Sequence, residues 1–253
     1  MSLSPEELDR YARHIVLHEV GGTGQRRLGA ARVLVVGAGG LGSAALLYIA
    51  AAGVGTLAIV DHDTVALSNL QRQVLHGTAD IGRPKVESAR DALQRLNPHV
   101  AVETHRLRLD AANAPALVRG CDLVLDGCDN FATRYAVNAA CAAAGVPLLA
   151  AAMSQWEGQI SLYDPARGGP CYACVFPEPP AAGLAPSCAE AGVIGALPGV
   201  MGSMMALEAV KQIARAGEVL RGAMLIYDGL HAETRRIALA RRPDCPVCNA
   251  EDR

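Results

Sequence analysis

The chain has 253 residues, 51% of them apolar and only 4% aromatic, which is enough aliphatic material for one large α/β domain with helices packed closely on a sheet. Its 23 basic and 25 acidic residues leave a formal charge of −2, so no global field draws nucleic acid or an anionic membrane, and any anion site must be local. The opening MSLSPEELDRYARH brings acids early and has no apolar segment, unlike a leader peptide. GAGGLG and GVG break the uncharged run 33–60 into pieces shorter than the ~20 residues of a membrane span. A cytoplasmic protein is expected.

Ser4-Pro5-Glu6-Glu7 spells a capping box that opens an N-terminal helix. Strands are predicted at 32–36, 57–60, 100–104, 122–125 and 147–151, with helices near 41–52, 84–96, 112–119 and 130–144. This βαβαβαβαβ order specifies a doubly wound, mainly parallel, Rossmann-like sheet. After residue 151 the pattern changes. Segments 156–164, 224–229 and 233–241 read as added antiparallel strands around a long apolar helix over 197–215, and the proline-rich stretch 175–192 reads as a mobile loop. The expected organisation is a single domain over 1–253: N-terminal helices in 1–30, a nucleotide-binding core in 31–152 and a C-terminal portion in 153–253.

Gly37, Gly39 and Gly42 form G-x-G-x-x-G between a strand and a helix, where the turn lets backbone approach a phosphate at the helix N-terminus. Asp61, nineteen residues past Gly42 at the end of the next strand, is placed to accept ribose hydroxyls. An NAD-dependent oxidoreductase shares these features, so the glycines alone leave the chemistry open. The residues that follow suit a triphosphate: SNLQRQ (68–73) supplies Asn69 and Arg72, and GRPK (82–85) puts Lys85 at a helix start. In DGCDN (126–130), after the fourth strand, Asp129 can ligate Mg²⁺, or Asp129 or Asn130 can cap the next helix.

RYARHIVL (10–17), GAGGLGS (37–43), DHDTVALSNLQRQ (61–73), GRPKVESA (82–89), DGCDN, EGQISLYD (157–164), CYAC (171–174), SCAEAGVIG (187–195) and CPVC (245–248) together cover nearly the whole chain. In this order they resemble the ubiquitin-activating-enzyme-like adenylyltransferases, specifically the bacterial MoeB/ThiF/HesA group that activates sulfur-carrier proteins. The resemblance implies that Gly40, Asp61, Ser68, Asn69, Leu70, Gln71, Arg72, Lys85, Asp129 and Asn130 hold ATP–Mg²⁺. It also implies that Arg13 reaches a phosphate in the neighbouring subunit of a homodimer. The implied substrate is the C-terminal glycine carboxylate of a ubiquitin-fold carrier similar to MoaD or ThiS, in molybdopterin or thiamine biosynthesis, and 153–253 becomes the carrier-binding and zinc portion. A carboxylate is already ionised at neutral pH, so its attack on the α-phosphorus needs no general base, and Arg72, Lys85, Asp129 and Arg13 act by position and charge.

In the same light, Cys171 and Cys174 with Cys245 and Cys248 form two knuckles for one structural Zn²⁺ held by four thiolates. Cys188 is a candidate thiol for a covalent step after adenylation, whereas Cys121, Cys128 and Cys141 fall in strand or helix patterns and are expected to be inert. Some relatives carry a C-terminal rhodanese-like domain. This chain ends at Arg253, so a separate sulfur donor is expected. A catalytically dead, zinc-stabilised carrier-binding scaffold is the third reading.

Overall fold

The computed structural model describes residues 3–180 and 191–249. Strands β1 (Arg32–Val36), β2 (Thr56–Val60), β3 (Ala101–His105), β4 (Leu123–Asp126), β5 (Leu148–Ser154), β6 (Glu157–Tyr163), β7 (Ala223–Asp228) and β8 (Glu233–Ala238) form one sheet in the order β3-β2-β1-β4-β5-β6-β7-β8. The first five run parallel, and from β6 onward each pairs antiparallel with its predecessor. The sheet is thus the predicted Rossmann-like core with its antiparallel extension.

The central strands RVLVV, TLAIV and LVLD are almost continuously apolar because helices cover both faces. Alternation assigns each residue to a face. Val33, Val35, Leu57, Ile59, Leu123, Leu125 and Leu149 pack with α3 (Gly21–Ala30), α4 (Gly40–Ala51), α5 (Lys85–Leu96) and the long α9 (Ala196–Ala214). Leu34, Val36, Ala58, Val60, Val124 and Leu148 pack on the other side with α6 (Ala114–Val118), α7 (Phe131–Ala144) and Tyr172 of α8 (Tyr172–Val175). No helix among the described residues is long and apolar enough to cross a membrane.

Two predicted bounds are corrected. The helix expected at 112–119 is only Ala114–Val118, started by Pro115. The last strand ends at Ala238, not 241, because after Leu239 the chain turns toward Cys245, held by a bond from the Arg241 guanidinium to the Cys248 carbonyl. Of the proline-rich stretch, residues 181–190, including Cys188, lie outside the described residues.

The N-terminal helices α1 (Pro5–Arg10) and α2 (Ala12–Ile15) begin at the expected capping box, where Ser4 Oγ accepts from Glu7 N–H at 3.2 Å and Glu7 Oε2 accepts from Ser4 N–H at 2.8 Å. One buried amide ties them to the core. Asn97 at the end of α5 donates to Tyr11 Oη and to the Ala50 carbonyl, each at 2.8 Å. Asn97→Ala removes the donor to Tyr11 Oη and one of the bonds on the Ala50 carbonyl, which keeps Gly53 N–H at 3.0 Å, and should cost about 1–3 kcal/mol in urea unfolding, the penalty for an unmatched buried polar group. Amide hydrogen exchange should quicken across residues 5–15 more than in β1 or β4. Unchanged exchange there would show that the amide does not hold these helices.

Candidate functional site

The carboxyl ends of β1, β2 and β4 open onto a cleft at the point where strand order reverses, the place where open α/β sheets bind ligands. Its floor is the turn 37–40. Gly37 has φ +91°, open to glycine, and a Cβ on Gly42 would overlap the Gly37 carbonyl, so both glycines are required to bring α4 this close behind β1. The unpaired N–H groups at the start of α4 face the cleft and give it a positive end.

Asp61 ties the turn to β2. Its Oδ2 accepts from Ala38 N–H and its Oδ1 from Asp63 N–H, each at 2.8 Å. Each oxygen keeps a further lone pair for a ligand hydroxyl. Lys85 enters from the first turn of α5, with its side chain buried and Nζ 2.8 Å from Asp63 Oδ2. Burial pushes the Asp63 carboxyl up, but the Lys85 hydrogen bond and charge, with help from His62 and Arg108, bring it below its ordinary value. Arg72 also lines the cleft, donating to the Ser68 carbonyl at 3.0 Å, and no carboxylate among the described residues pairs with it.

The fourth wall is the loop 127–130. Asp129 is exposed, and its carboxylate carries no hydrogen bond or ion pair among the described residues. Asn130 caps α7, its Oδ1 accepting from Thr133 N–H at 2.9 Å. Beneath them Asp126 Oδ1 accepts from Cys128 N–H at 2.9 Å, and buried Arg134 donates to the carbonyls of Cys128 at 2.5 Å and Ala151 at 2.9 Å. The loop is therefore braced from below.

Of the nominated residues, Gly40, Asp61, Arg72, Lys85, Asp129 and Asn130 meet around this cleft. Ser68, Asn69, Leu70 and Gln71 are outside its lining. They form a short 3₁₀ turn and its exit, in which Asn69 Oδ1 accepts from Ala66 N–H at 3.2 Å, and they carry Arg72 into place. Arg13 is exposed on α2 and does not line the cleft of its own chain.

Sequence reasoning missed His62, Asp63, Gln73 and Arg108, which also line the cleft. Asp63 and Gln73 sit inside motifs already quoted, and Arg108 lies just past β3, where the carboxyl-edge rule points. Cys128 is a correction. β4 stops at Asp126 and Gly127 turns the chain, so this cysteine lies in the cleft wall rather than in a strand or helix. Burial foremost, then the Asp126 charge, raises its thiol well above the ordinary value, so it stays protonated.

Some distance along α7, Cys171, Cys174, Cys245 and Cys248 converge. All are buried, with sulfurs 3.8 Å apart (171 and 174), 3.6 Å (171 and 245) and 3.4 Å (174 and 248). A tetrahedral zinc with Zn–S bonds of about 2.3 Å has S···S edges of about 3.8 Å, so the donor set fits that ion. Burial pushes the Cys171 and Cys248 thiols up; it acts on Cys245 too, but there the Cys248 and Val247 N–H groups bring the thiol down to about 7, so of these three Cys245 most readily gives the thiolate a metal needs.

The buried ammonium of Lys85 depends on Asp63. Asp63→Asn should lower urea stability at neutral pH. Because the native Asp63 carboxyl is held below its ordinary value, its contribution is complete above the ordinary carboxylate range and is lost as pH falls through the lowered value. The stability gap between the two proteins should therefore close toward acid. A gap constant with pH would exclude the carboxylate as its source.

The ThiF family matches residues 11–247. The chain is 49% identical to the sulfur carrier protein adenylyltransferase of Thermus thermophilus, in an alignment covering 99% of this chain and 94% of that protein. It is 48% identical to the SAMP-activating enzyme E1 of Haloferax volcanii, over 98% and 91% of the two. With the adenylyltransferase and sulfurtransferase MOCS3 of Mus musculus it shares 51% identity but spans 54% of that longer protein. A crystal structure of E. coli MccB with MccA-N7isoASN has a TM-score of 0.84 at 24% identity, covering 98% of this chain and 76% of that one, a likeness of fold. With nearly its whole length matched and relatives at this identity, the chain belongs to the ThiF family.

Proposed function

We propose that this protein uses ATP to adenylate the C-terminal glycine carboxylate of a ubiquitin-fold sulfur-carrier protein, releasing pyrophosphate. The observation that carries this reading is the charge pattern of the cleft: Arg72, Lys85 and Arg108 face a helix N-terminus, opposite a carboxylate, Asp129, that no described residue engages. Such a set suits a triphosphate and its metal better than the neutral ring of a nicotinamide. Asp129 would hold Mg²⁺, which, when bound, neutralises phosphate charge. Asp61 orients the nucleoside end, while Arg72 and Lys85 stabilise charge gathering on the α-phosphate and the leaving pyrophosphate. The carboxylate nucleophile requires no proton removal.

The chain is proposed to act as a homodimer in which Arg13 of the partner subunit reaches the phosphates. The exposure of Arg13 away from its own cleft supports this. Cys188 is assigned to a step after adenylation, and the sulfur comes from a separate cytoplasmic donor. The carrier belongs to molybdopterin, thiamine or another sulfur-transfer pathway, and the following assay reads which.

Carrier-dependent exchange of labelled pyrophosphate into ATP should be present with Mg²⁺ and one carrier class. Arg72→Ala and Lys85→Ala should each lower it by about 10²-fold, the scale of a lost oxyanion donor. Asp129→Ala should abolish the Mg²⁺ response, and Cys188→Ala should leave exchange largely intact. Absence of exchange together with tight NADH binding would favour an oxidoreductase, and absence of exchange with carrier binding retained would favour a scaffold.

The four-cysteine cluster is proposed to hold one structural Zn²⁺ per chain. Metal analysis should give one equivalent, lost in Cys171→Ser and Cys245→Ser with a fall in melting temperature. Full zinc content in both variants would exclude this ligand set.

A further inference from the structure

A buried histidine on the far side of the glycine turn has no role in the reading above. His76 lies between β2 and α5, almost wholly buried, with Nε2 2.9 Å from the Ala38 carbonyl and Nδ1 2.8 Å from Ser88 Oγ. A carbonyl only accepts, so the ring proton is on Nε2, and Nδ1 must accept from the Ser88 hydroxyl. The Ala38 carbonyl thus fixes the tautomer of the neutral ring, and Ser88 on α5 meets the other nitrogen. Burial foremost pushes His76 below its ordinary value, the Ala38 bond opposes this, and the nearby Lys85 charge pushes it lower still. Both contacts are met by the neutral ring, the form that burial favours.

The consequence lies one bond further on. A trans peptide points its C=O and its N–H in opposite directions, and the described chain contains no cis peptide. Anchoring the Ala38 carbonyl inward on His76 therefore aims the Gly39 N–H outward, into the cleft that Gly39 lines. No described group accepts from that N–H. The preceding peptide is fixed separately by Ala38 N–H on Asp61 Oδ2, and the one before it by Gly37 N–H on the Val60 carbonyl at 2.9 Å. Two consecutive peptides of the turn are thus locked by groups from different elements, one visible from the cleft and one hidden behind it.

We infer that His76, held between the Ala38 carbonyl and Ser88, is a positioning residue that turns the Gly39 amide toward a bound phosphate. The inference rests on the nucleotide reading of the cleft. It predicts that preorganisation of the turn, not the histidine's bulk, matters to ligand affinity, since a peptide free to flip loses an oriented donor.

Two substitutions separate these roles. In His76→Gln the amide nitrogen falls near the position of Nε2 and can still donate to Ala38. In His76→Asn it falls near Nδ1, facing Ser88, and cannot reach Ala38. Both remove the ring and shrink the core. Titration calorimetry with ATP–Mg²⁺, alongside thermal melting and zinc content, should give an ATP Kd about tenfold weaker for His76→Asn than for His76→Gln, at similar melting temperatures. KM for ATP in the exchange assay should move with it while carrier KM does not. Equal ATP affinity in the two folded variants would overturn the role of His76 and leave the nucleotide reading standing. Absence of ATP binding by the unchanged protein would overturn that reading, and this inference with it.

Discussion

The register of β1 between β2 and β4 governs everything at the cleft. Val36 stands opposite Val60 on one side and Asp126 on the other, so three strands end at one level. The next residues, Gly37, Asp61 and Gly127, therefore leave the sheet side by side. β3 extends the level, since Val60 pairs with His105 and the segment beyond carries Arg108. A slip of one residue in any of these ladders would turn the strand's side chains to the opposite face, exchanging the two cores. The apolar alternation that fills those cores is thus also what aligns the four loops of the site.

On that edge the protein assembles a local field that its net charge does not provide. The cations are held in different ways. Lys85 is buried, and the bond from its Nζ to Asp63 Oδ2 at 2.8 Å fixes where its side chain points. Arg72 and Arg108 stand on exposed loop segments without a carboxylate among the described residues bonded to them. One fixed charge and two adaptable ones suit a ligand whose charge shifts as a phosphate bond breaks, because the fixed group needs no reorganisation and the others can follow.

The sheet, its antiparallel extension and the long α9 were legible in the sequence because each leaves a period: continuous apolar runs for buried parallel strands, alternation for the added ones. The cleft was legible wherever a residue type has one dominant use, as with the glycine turn, Asp61, Lys85 and Asp129. It was less so where the decisive fact is a partner. Asn130 caps α7 as its place before a helix allows, but Asn69, read as an amide beside phosphates, turns its Oδ1 to Ala66 N–H. His76 is one unremarkable letter in QVLHG, and only the folded chain brings it from a loop after β2 under the carbonyl of Ala38, 38 positions away. Cys128 was grouped with the strand and helix cysteines although DGCDN follows the fourth strand, and Gly127 turns it into the cleft wall.

The helix α7 joins the two halves of the molecule that chemistry would otherwise separate. Its first turn begins at Asn130 in the cleft wall, Arg134 one turn on holds the Cys128 and Ala151 carbonyls, and Asn138 a further turn along accepts from Tyr172 N–H at 2.8 Å and donates to Cys171 Sγ at 3.8 Å. Tyr172 is wedged edge-on between Tyr135 and Tyr163, with ring centroids 5.5 and 5.6 Å away. A metal clamped by the four cysteines would therefore fix more than the chain's end. It would set α8 against α7, and through the same helix the angle at which the 127–130 loop meets the glycine turn, so that a site built from loops inherits the stiffness of a staple it never touches.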